Sequence, residues 1–90
     1  MKLDSDLSIK NVELLYSTFE GEYEKGDNIS LDASGVDRID TTAFQVIAAL
    51  KTKLESENLQ LTITEASDEF INSAKLLGLA GALDLASNPN

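Results

Sequence analysis

An aspartate followed by two threonines, Asp40-Thr41-Thr42, is the part of this chain best placed to carry chemistry. These residues follow a loop, Ser34-Gly35-Val36-Asp37-Arg38-Ile39, and lead into a strongly periodic helical stretch. A hydroxyl at a helix start lies beside backbone N–H groups that have no intrahelical partner and at the positive end of the helix dipole. Two roles are open to it. One is capping: Thr42 with Gln45 three residues on fits a capping box, worth ~1 kcal/mol. The other is a covalent switch. With Thr42 as the cap, Thr41 faces solvent, and a phosphate there would add roughly −1.5 to −2 charges at pH 7. The dipole would stabilise that charge by ~0.3–1 kcal/mol, and Asp37 and Asp40 would oppose it. Neither effect unfolds a domain. The expected result is a changed surface that a complementary partner accepts or rejects.

The residue types narrow the chemistry further. There is no histidine, hence no serine–histidine triad and no imidazole base. There is no cysteine, hence no disulfide, thiolate metal site or thiol nucleophile. The glycines, at 21, 26, 35, 78 and 81, have no nucleotide-binding spacing. Asp32, Asp37 and Asp40 are close in sequence, and clustered acids can hold Mg²⁺ or act as acid and base. The buried lysine and acid pair of a phosphoaspartate receiver are not visible. The expectation is a protein with no catalysis and no cofactor.

Sixteen acids against seven bases give a formal net charge of −9. Phosphate backbones and anionic membranes would be repelled, so nucleic-acid binding is not expected. No apolar run approaches the ~20 residues of a membrane span, so direct membrane insertion is not expected either. The start, Met1-Lys2-Leu3-Asp4-Ser5-Asp6, is acidic and lacks the apolar core of a signal peptide, which makes the cytoplasm the expected compartment. An acidic surface fits solubility, or a partner protein with a basic face.

The elements that must position the loop are legible by period. Ser8 reads as a helix N-cap with a Leu7–Val12 staple, and Val12, Leu15, Tyr16, Phe19 and Tyr23 recur at helical spacing, predicting a helix over about 9–25. Gly21 within it costs ~1 kcal/mol against alanine. Ile29 to Ala33 reads as a strand, with Asp32 near its exposed end. A second helix is predicted from about Ala43 to Glu57 on a stripe of Phe44, Ile47, Ala48 and Leu54, widened by Ala43, Val46 and Leu50, with Lys51 largely off it. Leu59, Leu61 and Ile63 alternate with polar residues as a half-buried strand. Ser67 reads as an N-cap for a helix carrying Phe70, Ile71, Ala74 and Leu77, closed by Gly78. One more turn is expected at 79–83, a loose tail at 87–90 and a short strand near Lys2-Leu3. The order predicts one α/β domain: a small, mainly parallel sheet with helices packed on one face. The other face is expected to be partly open or covered by something outside this chain, and an uncovered face would permit a homodimer.

The segment Ile29 to Phe44, with its apolar strand, aspartate, Ser/Gly loop and Asp-Thr-Thr helix opening, resembles the signature of STAS domains, the sulfate transporter and anti-sigma factor antagonist family. Ser67 to Leu79, with Leu76-Leu77-Gly78-Leu79, resembles that family's later helix. Ala43-Phe44 stands where glycine-leucine is common in the family. The resemblance implies one STAS-like domain over 1–86. It implies that Thr41 is the phosphoacceptor of a partner serine/threonine kinase that is also an anti-sigma factor, reset by a phosphatase. It implies that Asp40 places the loop and that Asp37, Asp40, Thr41, Thr42, Phe44 and Gln45 meet the partner. The short members of the family include a subunit of bacterial phospholipid transporters, which implies an alternative: an accessory subunit of a larger complex, of transport or chemotaxis type, with no covalent switch.

Overall fold

The computed structural model describes residues 1–79, Gly81 and Leu83; the tail expected at 87–90 lies outside them. Among the described residues, β1 (Asp6–Leu7), α1 (Val12–Glu24), β2 (Ile29–Ala33), β3 (Arg38–Ile39), α2 (Thr41–Ser56), β4 (Leu61–Ala66) and α3 (Asp68–Leu76) follow in order, with a 3₁₀ turn at Ile9–Asn11 before α1.

Residues 29, 31 and 33 are the apolar positions of an alternating run, and all three are buried. The strand β2 pairs in parallel with β4, from Ile29 opposite Leu61 to Ala33 opposite Ala66. The register slips between Leu31 and Asp32, which leaves Thr64 as an extra residue on β4. On the other side of β2, Leu3 N–H donates to Asp32 O at 2.9 Å and Asp32 N–H to Met1 O at 2.8 Å, a parallel bridge at the expected Lys2-Leu3 position. A second parallel pair, β1 with β3, is absent from the sequence-based expectation; it sets Asp6 opposite Arg38 and Leu7 opposite Ile39. Two-residue strands carry too little pattern to read by period. Ser30, Thr62 and Thr64, which alternate with the buried positions, are exposed. The sheet face away from the core is therefore polar.

The core gathers Leu15 and Phe19 of α1, Phe44, Ile47 and Leu54 of α2, and Phe70 and Ala74 of α3 against the strands. Phe44 and Phe70 meet with ring centroids 5.0 Å apart at 54°, a tilted arrangement favoured by the aromatic quadrupole. Each helix stops in a local way. Gly26, Asn58 and Gly78 take φ of 75°, 63° and 72° one residue past the C-caps. At α3, Gly78 N–H donates to Lys75 O at 3.0 Å and Leu79 N–H to Ala74 O at 2.8 Å, both bonds of a Schellman motif. The expected turn beyond it begins with Leu83 N–H donating to Leu79 O at 3.0 Å.

Three expectations need correction. The first helix divides into the 3₁₀ turn and α1, and Ser8 makes no side-chain cap bond. The second helix starts at Thr41 instead of Ala43, because Asp40 O already accepts from Ala43 N–H at 3.0 Å and Phe44 N–H at 3.3 Å. Lys51 lies on the buried face of α2, 7% exposed, with its ammonium 2.5 Å from Glu55. Its aliphatic stem covers apolar surface while the charged end reaches its i+4 neighbour.

Candidate functional site

The loop before α2 is held from two sides. Asp37 N–H and Arg38 N–H both donate to Ser5 O, at 2.8 and 3.1 Å, and Asp40 N–H donates to Leu7 O at 3.2 Å. From the other side, the Ser67 hydroxyl donates to Val36 O at 2.6 Å while accepting from Phe70 N–H at 3.1 Å, so the residue that caps α3 also pins the loop. Ser67 N–H donates to Ala33 O at 3.0 Å. Backbone groups tied this way fix the path of residues 33–40 without using the side chains at its end.

Asp40 is the N-cap residue of α2 in extended conformation, but its side chain does not cap that helix. Its Oδ2 instead accepts from Ile9 N–H at 2.8 Å, at the start of the 3₁₀ turn. The loop aspartate thus supplies the cap expected of Ser8. Asp6 contributes at the same corner: its Oδ1 accepts from Ser8 N–H at 2.9 Å and its carbonyl from Asn11 Nδ2 at 2.9 Å. The Ser8 hydroxyl, a dipole near the carboxylate although it makes no formed hydrogen bond, and then the Ser8 N–H hold the Asp6 carboxyl below its ordinary value. Asp32, at the start of the loop, is lowered in the same manner by the Ser34 side chain and then by the Ser34 N–H, which donates to its Oδ1 at 2.9 Å.

With Asp40 turned away, Thr41 begins α2 as an exposed residue and no side chain caps the first turn. Thr42 lies inside that turn, half-buried, so the Thr42–Gln45 capping box is not formed. Asp37 and Gln45 are exposed and Asp40 is half-buried, so Asp37, Thr41 and Gln45 present side chains to solvent around the helix start. Phe44, assigned to the partner surface, is instead fully buried against Phe70. It follows from its place in the apolar stripe, and it props the first turn from below. The acids Asp32, Asp37 and Asp40 do not gather: among the described residues there is no group of three or more that could hold a metal. No helix among them is long and apolar enough to cross a membrane.

Beside the loop, α1 and α2 run side by side in the same direction. The Asp40–Ile9 bond ties their starts. At their ends the Tyr23 hydroxyl donates to Glu57, and Lys53 Nζ sits 5.0 Å over the Tyr23 ring. That bond to Glu57, then burial, pushes the Tyr23 phenol up. Between the two helices is a groove of about 520 Å³, lined by residues that include Tyr16, Phe19, Tyr23, Val46 and Leu50, with Thr42 and Gln45 also in its lining. No such groove is expected from the sequence. The available signal is Tyr16 and Tyr23 seven residues apart on one helical face, of which Tyr16 stays exposed.

A protein-family model described as "Mlab, STAS domain" matches residues 1–86. No curated protein and no solved structure matches the chain.

Proposed function

The chain belongs to the STAS domain family, and from that premise we propose that it is a non-catalytic bacterial signalling module, anti-sigma factor antagonist-like, that binds a partner protein and is switched by phosphorylation of Thr41. The family gives a general signalling and binding role. The switch is supported by one observation above the others: Thr41 is exposed at the first position of a 16-residue helix whose N-cap side chain is engaged elsewhere. Its hydroxyl is accessible to a kinase, and the uncapped first-turn amides and helix dipole favour the added negative charge. The partner is a serine/threonine kinase that is also an anti-sigma factor, or the opposing phosphatase, and the setting is the cytoplasm.

The reaction itself belongs to the partner. The threonine oxygen attacks the γ-phosphorus of a nucleoside triphosphate and loses its proton to the kinase's base, and the diphosphate leaves. Mass spectrometry of the protein from its own cells checks the assignment. Phosphate on Thr41 is expected; phosphate only elsewhere, or none under any condition, refutes it.

A second reading, an accessory subunit of a larger assembly such as a phospholipid-transport system with no covalent switch, is favoured by the groove between α1 and α2, a surface that can hold a partner without modification. Pull-downs with the unmodified protein, Thr41→Ala and Thr41→Asp separate the two. Different partners for Thr41→Asp support the switch; identical partners for all three support the accessory subunit.

A further inference from the structure

We propose that the groove between α1 and α2 is a docking site for an amphipathic, lysine- or arginine-flanked helix of a partner protein. This deepens the binding role above and does not depend on phosphorylation.

The groove's shape is set by its walls. Its lining extends from Tyr16 to Glu24 along α1 and from Thr42 to Lys53 along α2. At 1.5 Å per residue these stretches are ~12 Å and ~16 Å long, room for about two to three turns of a guest helix. The floor is apolar, with Phe19 and Leu50 buried and Val46 half-buried. Tyr16 is 55% exposed, so a large amphipathic ring stands at the rim with most of its contact surface unused. An apolar floor between two helices is the geometry that accepts a third helix through its i, i+3/i+4, i+7 anchors.

Charge selects the guest. Glu20 and Glu24, four residues apart and so on one face of α1, form the acidic wall. Both are exposed, and neither is ion-paired among the described residues. The facing wall offers Thr42, Gln45 and Lys53, and Lys53 already lies over the Tyr23 ring. Two open carboxylates beside one engaged ammonium, on a chain of net charge −9, favour cations along one flank of the guest and disfavour acidic helices and anionic lipid. The bonds that tie both ends of α1 to α2 hold the groove open before any guest arrives, which lowers the ordering cost of binding.

The test uses the full chain and three labelled 14-residue peptides, read by fluorescence anisotropy. One has leucines at helical spacing flanked by lysines, the second has glutamates in place of the lysines, and the third is a scrambled order of the first. The lysine peptide is expected to bind more than about tenfold tighter than the other two, and to weaken as salt is raised. The double variant Glu20→Lys/Glu24→Lys is expected to weaken it about tenfold or more, and Ala49→Arg, which projects a charged chain from an exposed groove position, to abolish it. All three substituted side chains are exposed, and circular dichroism confirms that the variants fold. Equal binding of the three peptides, or binding unchanged by the variants, overturns the proposal. So does a concentration-dependent dimer that Ala49→Arg abolishes, which would place a second copy in the groove. So does binding of a medium-chain fatty acid with none of the lysine peptide, which would make the groove a lipid site. Loss of Thr41 phosphorylation would leave all these outcomes untouched, so this proposal and the switch fail separately.

Discussion

Replacing Asp40 by alanine removes the carboxylate oxygen that accepts from Ile9 N–H at 2.8 Å. The backbone of α2 is unaffected, because Asp40 O, which accepts the first bonds of that helix, is retained. Hydrogen bonds to charged acceptors contribute ~1.5–3 kcal/mol when shielded, and loss of a cap costs about 0.5–2 kcal/mol. This bond lies at an exposed edge, so the lower part of both ranges applies and the expected loss is ~1 kcal/mol. For a domain of this size that lowers Tm by about 4–8 °C. The conservative variant Asp40→Asn keeps an oxygen acceptor and should retain more than half of the stability. The local readout is hydrogen exchange at the Ile9 amide, which should quicken about fivefold in Asp40→Ala relative to distant amides, the factor that ~1 kcal/mol represents. Equal Tm for the two variants and the parent, or an Ile9 amide that exchanges at an unchanged rate, would refute the idea that the loop acid caps the first helix.

Other outcomes follow from packing and local electrostatics. Gly21 lies in the interior of α1 with nothing within 4 Å of an added Cβ, so Gly21→Ala should raise stability by ~1 kcal/mol in urea melts. Phe44→Ala should cost about 3–5 kcal/mol, since a fully buried ring is removed, whereas Phe44→Leu should be much milder; if the two are alike in thermal melts, the ring is not packed as described. Asp6 and Asp32 have folded pKa values below the ordinary 3.8. Their carboxylates therefore add stability that is complete above their unfolded pKa near pH 4 and is lost as pH falls through the depressed folded values. NMR titration should show both side chains ionising at lower pH than a free aspartate.

How far the sequence can be read depends on the range of each interaction. Ser67 and Gly78 are legible as the limits of α3 because a cap and a Schellman turn are made by neighbours in the chain. The strand at 29–33 and the stripe through Phe44, Ile47 and Leu54 are legible by period. The resemblance places Thr41 at a helix start, and it is the first residue of α2. What escapes is non-local or competitive. Asp40 and Ile9 are 31 residues apart, and nothing in local pattern says that an acid beside its own helix will serve another. The Thr42–Gln45 pair has the right spacing for a capping box, but the helix has already begun before Thr42. Lys51 reads as solvated because a lysine's charge hides how much of its stem is apolar. Phe44 has two incompatible places in the sequence reading, core and partner surface, and burial decides for the first.

The slipped register at Thr64 bears on how the molecule behaves in a crowd. Among the described residues β2 has neighbours on both sides, whereas β4 pairs with β2 alone. A flat, regular ribbon in that position would be a template for strands of other molecules. Here the extra residue twists the margin, and Glu65, exposed right after it, adds a repulsive charge. The interruption is expected to disfavour edge-to-edge pairing between copies, an outcome that size-exclusion chromatography at rising concentration would check.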